Sequence, residues 1–407
     1  PLQGGVPYLK ERMEQGKYKR DNMGEDFDSK LILLSAGGTG GHMFPAAALA
    51  QDLVSRGYRV VLVTDPRGKK HTAIFKNVQV YVIQAGTSGA GFLGKVKGTA
   101  GLATGLVQAF RLLKKIRPDV VVGFGGYPSV PAVFMAQRFK IPTILHEQNA
   151  ILGRANVFLA PKADRIALSM MQVQGIEEVD AVRSVLTGNP VREEIAALYS
   201  KPYPSLQPDG VLRVAVLGGS LGARVFSEIL PATFVKLSAA HRARLDIIQQ
   251  CREEDLEHVR SAYEQAGIKA RLSPFFENVP EILAQAHLVI ARAGASTVAE
   301  LTTAGRPAIF VPYPHHKDQQ QKVNAETVAD AGGAWVMTQE GFTIEALRTR
   351  IEILLQNPEI LFRAAEASRS CAKPDAARRL GNLVTAIASG WDKNAVQSFD
   401  LTQGREG

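Results

Sequence analysis

His42 closes a run of six residues, Gly37-Gly-Thr-Gly-Gly-His42. A neutral imidazole accepts a proton near pH 7, so a histidine at the lip of a ligand site is a candidate general base. Gly37, Gly38, Gly40 and Gly41 let a phosphate-bearing ligand approach the backbone, where a helix start offers free N–H groups. Thr39, Gly40 and Gly41 are the residues that would touch it. The spacing is not Gly-x-Gly-x-x-Gly, so a nicotinamide site is weakly supported. Taken alone, the run also fits a tight turn with a bystander histidine.

Other residues join it. Gly125 and Gly126 form a second glycine pair, and His146-Glu-Gln-Asn149 is a compact polar cluster in which Glu147 is the second candidate base. The plainer reading of Glu147 and Gln148 is a helix cap. Further on, Gly218-Gly-Ser-Leu-Gly-Ala-Arg224 and Arg292-Ala-Gly-Ala-Ser-Thr-Val-Ala-Glu300 repeat the phosphate-loop character. Tyr313-Pro-His-His-Lys-Asp-Gln-Gln-Gln321 is dense in hydrogen-bonding side chains.

The elements that must position these residues are strands. Leu31 to Leu34 is too short for a helix and suits a buried parallel strand. Pro45 fits the first turn of the helix that follows, which Gly57 stops. Strands are expected at Arg59–Thr64, Val78–Ile83, Asp119–Gly123, Pro142–His146, Arg165–Ser169 and Ser184–Thr187. Gly86–Gly101 reads as a basic glycine-rich connection, and Leu102–Arg117 as a helix ended by Pro118. The plan repeats at Leu212–Leu217, Asp246–Gln249, His287–Ala291 and Pro307–Pro312. Helices near Thr343–Gln356, Glu359–Ser368 and Asp375–Ala388 close the chain. The fold class is therefore α/β, two Rossmann-like doubly wound domains facing a cleft, with ligands beyond the carboxyl ends of the strands.

The expected division gives residues 1–28 to a disordered extension, 29–191 to a first domain and 192–374 to a second. A helix near 375–390 is expected to return to the first domain, and 391–407 is a tail. The 407 residues suit two domains. No apolar run is long enough to span a bilayer. Two cysteines exclude a disulfide framework or a cysteine-rich metal site. A formal charge of +9 suits an anionic partner, but no aromatic-interleaved basic platform points to nucleic acid.

Seven motifs in order, from Gly37–His42 through Gly125-Gly-Tyr-Pro-Ser129, His146–Asn149, Gly188-Asn-Pro-Val-Arg192, Gly218–Arg224 and Arg292–Glu300 to His316-Lys-Asp-Gln-Gln-Gln321, carry a family resemblance. The chain resembles the bacterial cell-wall N-acetylglucosaminyltransferases of glycosyltransferase family 28, over roughly Leu31 to Ala388. The resemblance implies a GT-B fold and an inverting transfer of N-acetylglucosamine from UDP-N-acetylglucosamine to lipid I. It implies a donor bound mainly by the second domain, with Ser220 at the diphosphate and Glu300 at the ribose hydroxyls. Ala295, Ser296, Thr297, Val298 and Ala299 would approach with backbone, Gln320 and Gln321 would read sugar hydroxyls, and Asn149 and Arg192 would face them. Phe276 stands where family members often have Ile beside the uracil. The stretch Pro312–Lys317 is one residue longer than usual.

No cofactor and no protein-held metal are expected, because the donor-loop region lacks Asp-x-Asp and helix N-termini can carry the leaving diphosphate. The implied location is peripheral, on the cytoplasmic side of the inner membrane, with other cell-wall synthesis proteins as partners. The candidate surface for anionic lipid is Phe92, Leu93, Leu102, Leu106 and Phe110, ringed by Lys95, Lys97, Arg111, Lys114, Lys115 and Arg117. Leucines at that spacing suit a helix core equally well. The rivals are another GT-B enzyme, a UDP-sugar epimerase and a non-catalytic nucleotide-sugar sensor.

Overall fold

The computed structural model describes residues 30–86, 91–219, 223–314 and 318–390, plus a strand pair at 399–400 and 405–406. For 91–97 and that pair, only the backbone enters the description. Ser220, His315, His316 and Lys317 lie outside the described residues, as do 1–29.

Apolar runs buried on both faces become the strands of two parallel sheets. The first sheet holds β1 (Leu31–Ser35), β2 (Arg59–Thr64), β3 (Gln79–Val82), β4 (Val120–Gly123), β5 (Thr143–Glu147), β6 (Arg165–Leu168) and β7 (Ser184–Leu186), in the order β3-β2-β1-β4-β5-β6-β7. The second holds β8 (Leu212–Leu217), β9 (Leu245–Gln250), β10 (Lys269–Ser273), β11 (Leu288–Ala291), β12 (Ala308–Phe310) and β13 (Ala334–Val336), in the order β10-β9-β8-β11-β12-β13. In each sheet the order reverses once, between β1 and β4 and between β8 and β11. Those reversals open the crevices where ligands sit in doubly wound sheets.

Helix α1 (Gly40–Ser55) follows β1, α2 (Gly91–Ile116) precedes β4, and α3 (Gly126–Arg138) follows β4. In the second sheet, α4 (Arg224–Val235) follows β8, α5 (Ala295–Ala304) follows β11 and α6 (Gln320–Asp330) precedes β13. Helices α7 (Pro358–Ser370) and α8 (Ala376–Ala388) follow the second sheet. Leu380, Leu383, Val384 and Ile387 of α8 enter the core that Ile32, Leu34 and Leu49 build, so the chain's last long helix packs on the first sheet's side. Arg56 fastens it by donating to the Asn382 side chain and the Arg378 carbonyl.

The stretch expected as a connection, Gly86–Gly101, is largely helix, because α2 starts at Gly91. Its glycines make the packing possible rather than breaking the element. A Cβ at Gly105 would lie 1.9 Å from the Gln84 carbonyl oxygen, and one at Gly86 would lie 2.5 Å from that of Gly98. The helix thus rests directly on the backbone that leaves β3. Gly105→Ala is expected to destabilise the protein by about 1–3 kcal/mol, the usual cost of overpacking. A thermal melt unchanged by that substitution would contradict this packing.

Candidate active site

The two glycine loops are each held by the strand next door. Asp65, just past β2, is 1% exposed and accepts from the backbone N–H groups of Gly38 and Gly68, both at 2.9 Å. A Cβ at Gly37 would lie 2.6 Å from the same carboxylate, and Gly38 has φ +81°, so both positions need glycine. In the second sheet Gln250 ends β9. It accepts from the Gly218 N–H at 3.1 Å and donates to the Gly219 carbonyl at 3.0 Å. Neither residue stood out in the sequence, where the available signal was a polar residue at the carboxyl end of a buried strand.

Both loops open into one cleft of about 1010 Å³. Thr39, Gly40, Gly41, His42, Gln148 and Asn149 line one side. Ala295, Ser296, Thr297, Glu300, Gln320 and Gln321 line the other, with Arg192 between them. Val298 and Ala299 do not face it. They turn to the opposite side of α5, where Val298 is 4% exposed among core residues. One helix cannot aim five successive side chains at a single cleft, whereas the approach expected of Ala295–Ala299 is through backbone.

His42 sits in the first turn of α1, its Nδ1 3.2 Å from the Oε1 of Gln148. Burial lowers its pKa, while the charge of Glu147 and the Gln148 hydrogen bond act the other way. Gly125 and Gly126, with φ of +76° and +69°, pass beside the ring, and a Cβ at Gly126 would lie 3.2 Å from Nε2.

Glu147 is placed differently from a cleft base. It is 2% exposed. Its carboxylate accepts from the N–H groups of Asn149 and Gly153 at 3.0 and 2.9 Å, and from the side-chain amides of Asn149 and Asn156 at 3.2 and 2.8 Å. It therefore holds the turn after β5 and is absent from the cleft lining.

Across the cleft Glu300 meets Arg192, whose Nε and Nη2 both donate to Glu300 Oε1, at 3.1 and 2.9 Å. Burial raises the pKa of Glu300 while the Arg192 charge and hydrogen bond oppose the rise. The same guanidinium lies 5.4 Å over the Phe44 ring of α1. Asn324 of α6 accepts from the Ala150 N–H at 2.8 Å and donates to Asn149 Oδ1 at 3.1 Å. Ser296 donates to the Gly41 carbonyl at 3.1 Å. Pro45 explains why that carbonyl has room for the hydroxyl. The proline lies inside α1, not in its first turn as its residue type suggested, and has no N–H to return to Gly41.

Gln321 Oε1 accepts from the N–H groups of Ala293 and Tyr313, at 3.3 and 3.0 Å, which commits its acceptor. Phe276 is 9% exposed with Arg271 over its ring, while its neighbour Phe275 is 66% exposed at the cleft.

With this geometry in place, comparison with known proteins decides the family. The glycosyltransferase family 28 N-terminal domain matches residues 32–168 and the family 28 C-terminal domain matches 213–380. The chain belongs to glycosyltransferase family 28. A relative from Rhodospirillum centenum is named as a UDP-N-acetylglucosamine–N-acetylmuramyl-(pentapeptide) pyrophosphoryl-undecaprenol N-acetylglucosamine transferase. It is 52% identical over 357 residues, 88% of this chain and 94% of that one. A relative of the same name from Sphingopyxis alaskensis is 46% identical over 361 residues, 89% and 92% of the two chains. Among solved structures, Acinetobacter baumannii MurG matches with a TM-score of 0.71 and 30% identity, over 88% of this chain and 99% of that one. The GT-B fold of family 28 also extends to a Listeria monocytogenes protein described as a putative UDP-N-acetylglucosamine 2-epimerase. That chain matches with a TM-score of 0.64 at 15% identity, over 90% of this chain and 98% of the other, a likeness of fold alone.

Proposed function

We propose that this chain transfers N-acetylglucosamine from UDP-N-acetylglucosamine to undecaprenyl-pyrophosphoryl-N-acetylmuramyl-pentapeptide, lipid I, with inversion at the anomeric carbon. The observation that carries this reading is the single cleft that joins His42 on one sheet to Glu300 and the α5 N-terminus on the other. Glu300 accepts from the ribose hydroxyls through its carboxylate. The loop Gly218–Arg224 and the start of α5 take the diphosphate on their N–H groups. Ser220 contributes its hydroxyl there.

His42 takes the proton of the acceptor hydroxyl as that oxygen bonds to the anomeric carbon. The bond from that carbon to the diphosphate oxygen breaks, and UDP departs with its electron pair. The developing charge falls on oriented backbone dipoles, so the scheme needs no protein-held metal and no cofactor. UDP release measured with and without a lipid I analogue tests the reading. Acceptor-dependent release is expected, whereas donor binding with no release would favour a nucleotide-sugar sensor.

Lipid I lies in a bilayer, and among the described residues no helix is long and apolar enough to cross one. The docking surface we propose is peripheral, on the cytoplasmic face of the inner membrane, as the family resemblance implies. Of the residues read as membrane-facing, Phe110 is 42% exposed and touches Phe139, with ring centroids 5.2 Å apart, while Leu113 on the same helix is core at 1% exposed. Leu102 and Leu106 are half-buried. The side chains of Phe92, Leu93, Lys95 and Lys97 lie outside the described residues. Val107, Phe110 and Phe139 give an exposed apolar surface, with Arg111, Lys114, Lys115 and Lys140 exposed on the same two helix ends. Each basic residue near an anionic surface contributes about 1 kcal/mol. Replacing Lys114, Lys115 and Lys140 with Glu is expected to abolish cosedimentation with anionic vesicles at low salt and to leave UDP affinity intact. Unchanged cosedimentation would place docking elsewhere.

A further inference from the structure

Behind His42 runs a chain of hydrogen bonds that the transfer scheme does not use. Gln148 Nε2 lies 3.0 Å from the Phe124 carbonyl oxygen and 3.0 Å from His146 Nδ1. A carbonyl oxygen only accepts, so the atom facing Phe124 must be the amide nitrogen. Turned the other way, the amide would set two oxygens against each other. The amide oxygen therefore faces His42 Nδ1 at 3.2 Å, and an oxygen there requires a hydrogen on Nδ1.

The far end of the chain agrees. His146 accepts the Gln148 amide hydrogen on Nδ1, so its own hydrogen is on Nε2, which lies 3.1 Å from the Gly188 carbonyl oxygen. His146 is fully buried. Burial, with the nearby His42 adding to it, pushes its pKa down to about 4, so it stays neutral and its Nδ1 lone pair persists. Two fixed carbonyls, Phe124 and Gly188, thus set every donor and acceptor up to His42. Gly188 is itself pinned. Its φ is +85°, and a Cβ there would lie 2.5 Å from Lys373 Cβ.

We propose that Gln148 is a positioning residue that locks the His42 proton on Nδ1 and so leaves Nε2 as the ring's only lone pair. A histidine can act as base only at the nitrogen that lacks a proton, and the hydrogen bond made by the other nitrogen decides which that is. The consequence for turnover rests on His42 being the base. The tautomer itself does not.

The titratable groups beside His42 are Glu147 and His146, so the variants leave both in place. The test is a long-range proton–nitrogen NMR spectrum of the full chain carrying nitrogen-15 in its histidine rings. His42 is assigned by the signals lost in His42→Ala. In the wild type, above the ring's pKa, Nδ1 is expected to give the protonated nitrogen signal and Nε2 the bare one. Gln148→Leu should lose that preference and lower turnover by about 10²-fold, toward the lower end of a general base's contribution. Gln148→Glu keeps an acceptor facing Nδ1 and should restore the Nδ1–H form, with the acid limb of the pH–rate profile moved upward; its second oxygen meets the Phe124 carbonyl and His146 Nδ1, so this variant should also melt at a lower temperature. A wild-type His42 protonated on Nε2, or a tautomer unmoved by Gln148→Leu, overturns the proposal. A tautomer that shifts in Gln148→Leu with turnover unchanged upholds the positioning and removes His42 as base. The wild-type spectrum decides the question even where a variant does not fold.

Discussion

His42→Ala is expected to lower turnover by about 10²–10⁴-fold while UDP affinity holds. The size follows from what a positioned base contributes to proton transfer. The selectivity follows from where the residue sits. His42 belongs to the first-sheet side of the cleft, whereas Glu300 and the α5 start lie on the second-sheet side. The pH profile adds a sign. Burial lowers the His42 pKa, and the ring works as a base only when neutral. Activity should therefore persist below the ordinary histidine range and fall only once the lowered pKa is crossed. That acid limb should vanish in His42→Ala. Turnover near wild type would remove His42 as base. Glu147 does not inherit the role easily, because four N–H donors already occupy its carboxylate away from the cleft.

The second large effect is on donor binding. Glu300→Ala should weaken UDP affinity by about 1.5–3 kcal/mol, the range for hydrogen bonds to a charged group. Without ligand, both Arg192 donors converge on Oε1. The substitution therefore also strips a guanidinium of its partner in a partly buried site. Glu300→Gln keeps one acceptor and should lose less. Burial raises the Glu300 pKa, and only the ionised form accepts from two hydroxyls at once. UDP affinity should thus begin to fall on acidification above the ordinary carboxylate range, and this limb should be absent in Glu300→Gln. Calorimetry giving equal UDP affinity for wild type and Glu300→Ala would sink the ribose assignment.

Much of this site was legible because glycine loops after apolar strands carry both a local and a topological signal. Leu31–Ser35 and Leu212–Leu217 are buried runs followed by glycines, and a parallel sheet sends their carboxyl ends to one edge. What escaped was set by tertiary packing. β10 is half-exposed and polar, and β13 has three residues, so neither shows the unbroken apolar run of a central strand. The glycines at 86–105 punctuate a loop in most sequences, yet here they admit a neighbouring backbone to a helix. Glu147 and Gln148 are adjacent, and only the pleat of β5 and the turn after it send one carboxylate inward to backbone and the other side chain to His42. Val298 and Ala299 share a motif with Glu300 but not a helix face.

One cleft moving a sugar from nucleotide to lipid can be observed directly. The most direct measurement incubates the protein with UDP-N-acetylglucosamine radiolabelled in the sugar and a lipid I analogue, then separates nucleotide from lipid and determines the anomeric configuration. Label is expected in the lipid fraction, joined through a β link, with one UDP released per sugar transferred. Label that stays in the nucleotide, whether unchanged or as an epimerised sugar, would contradict it.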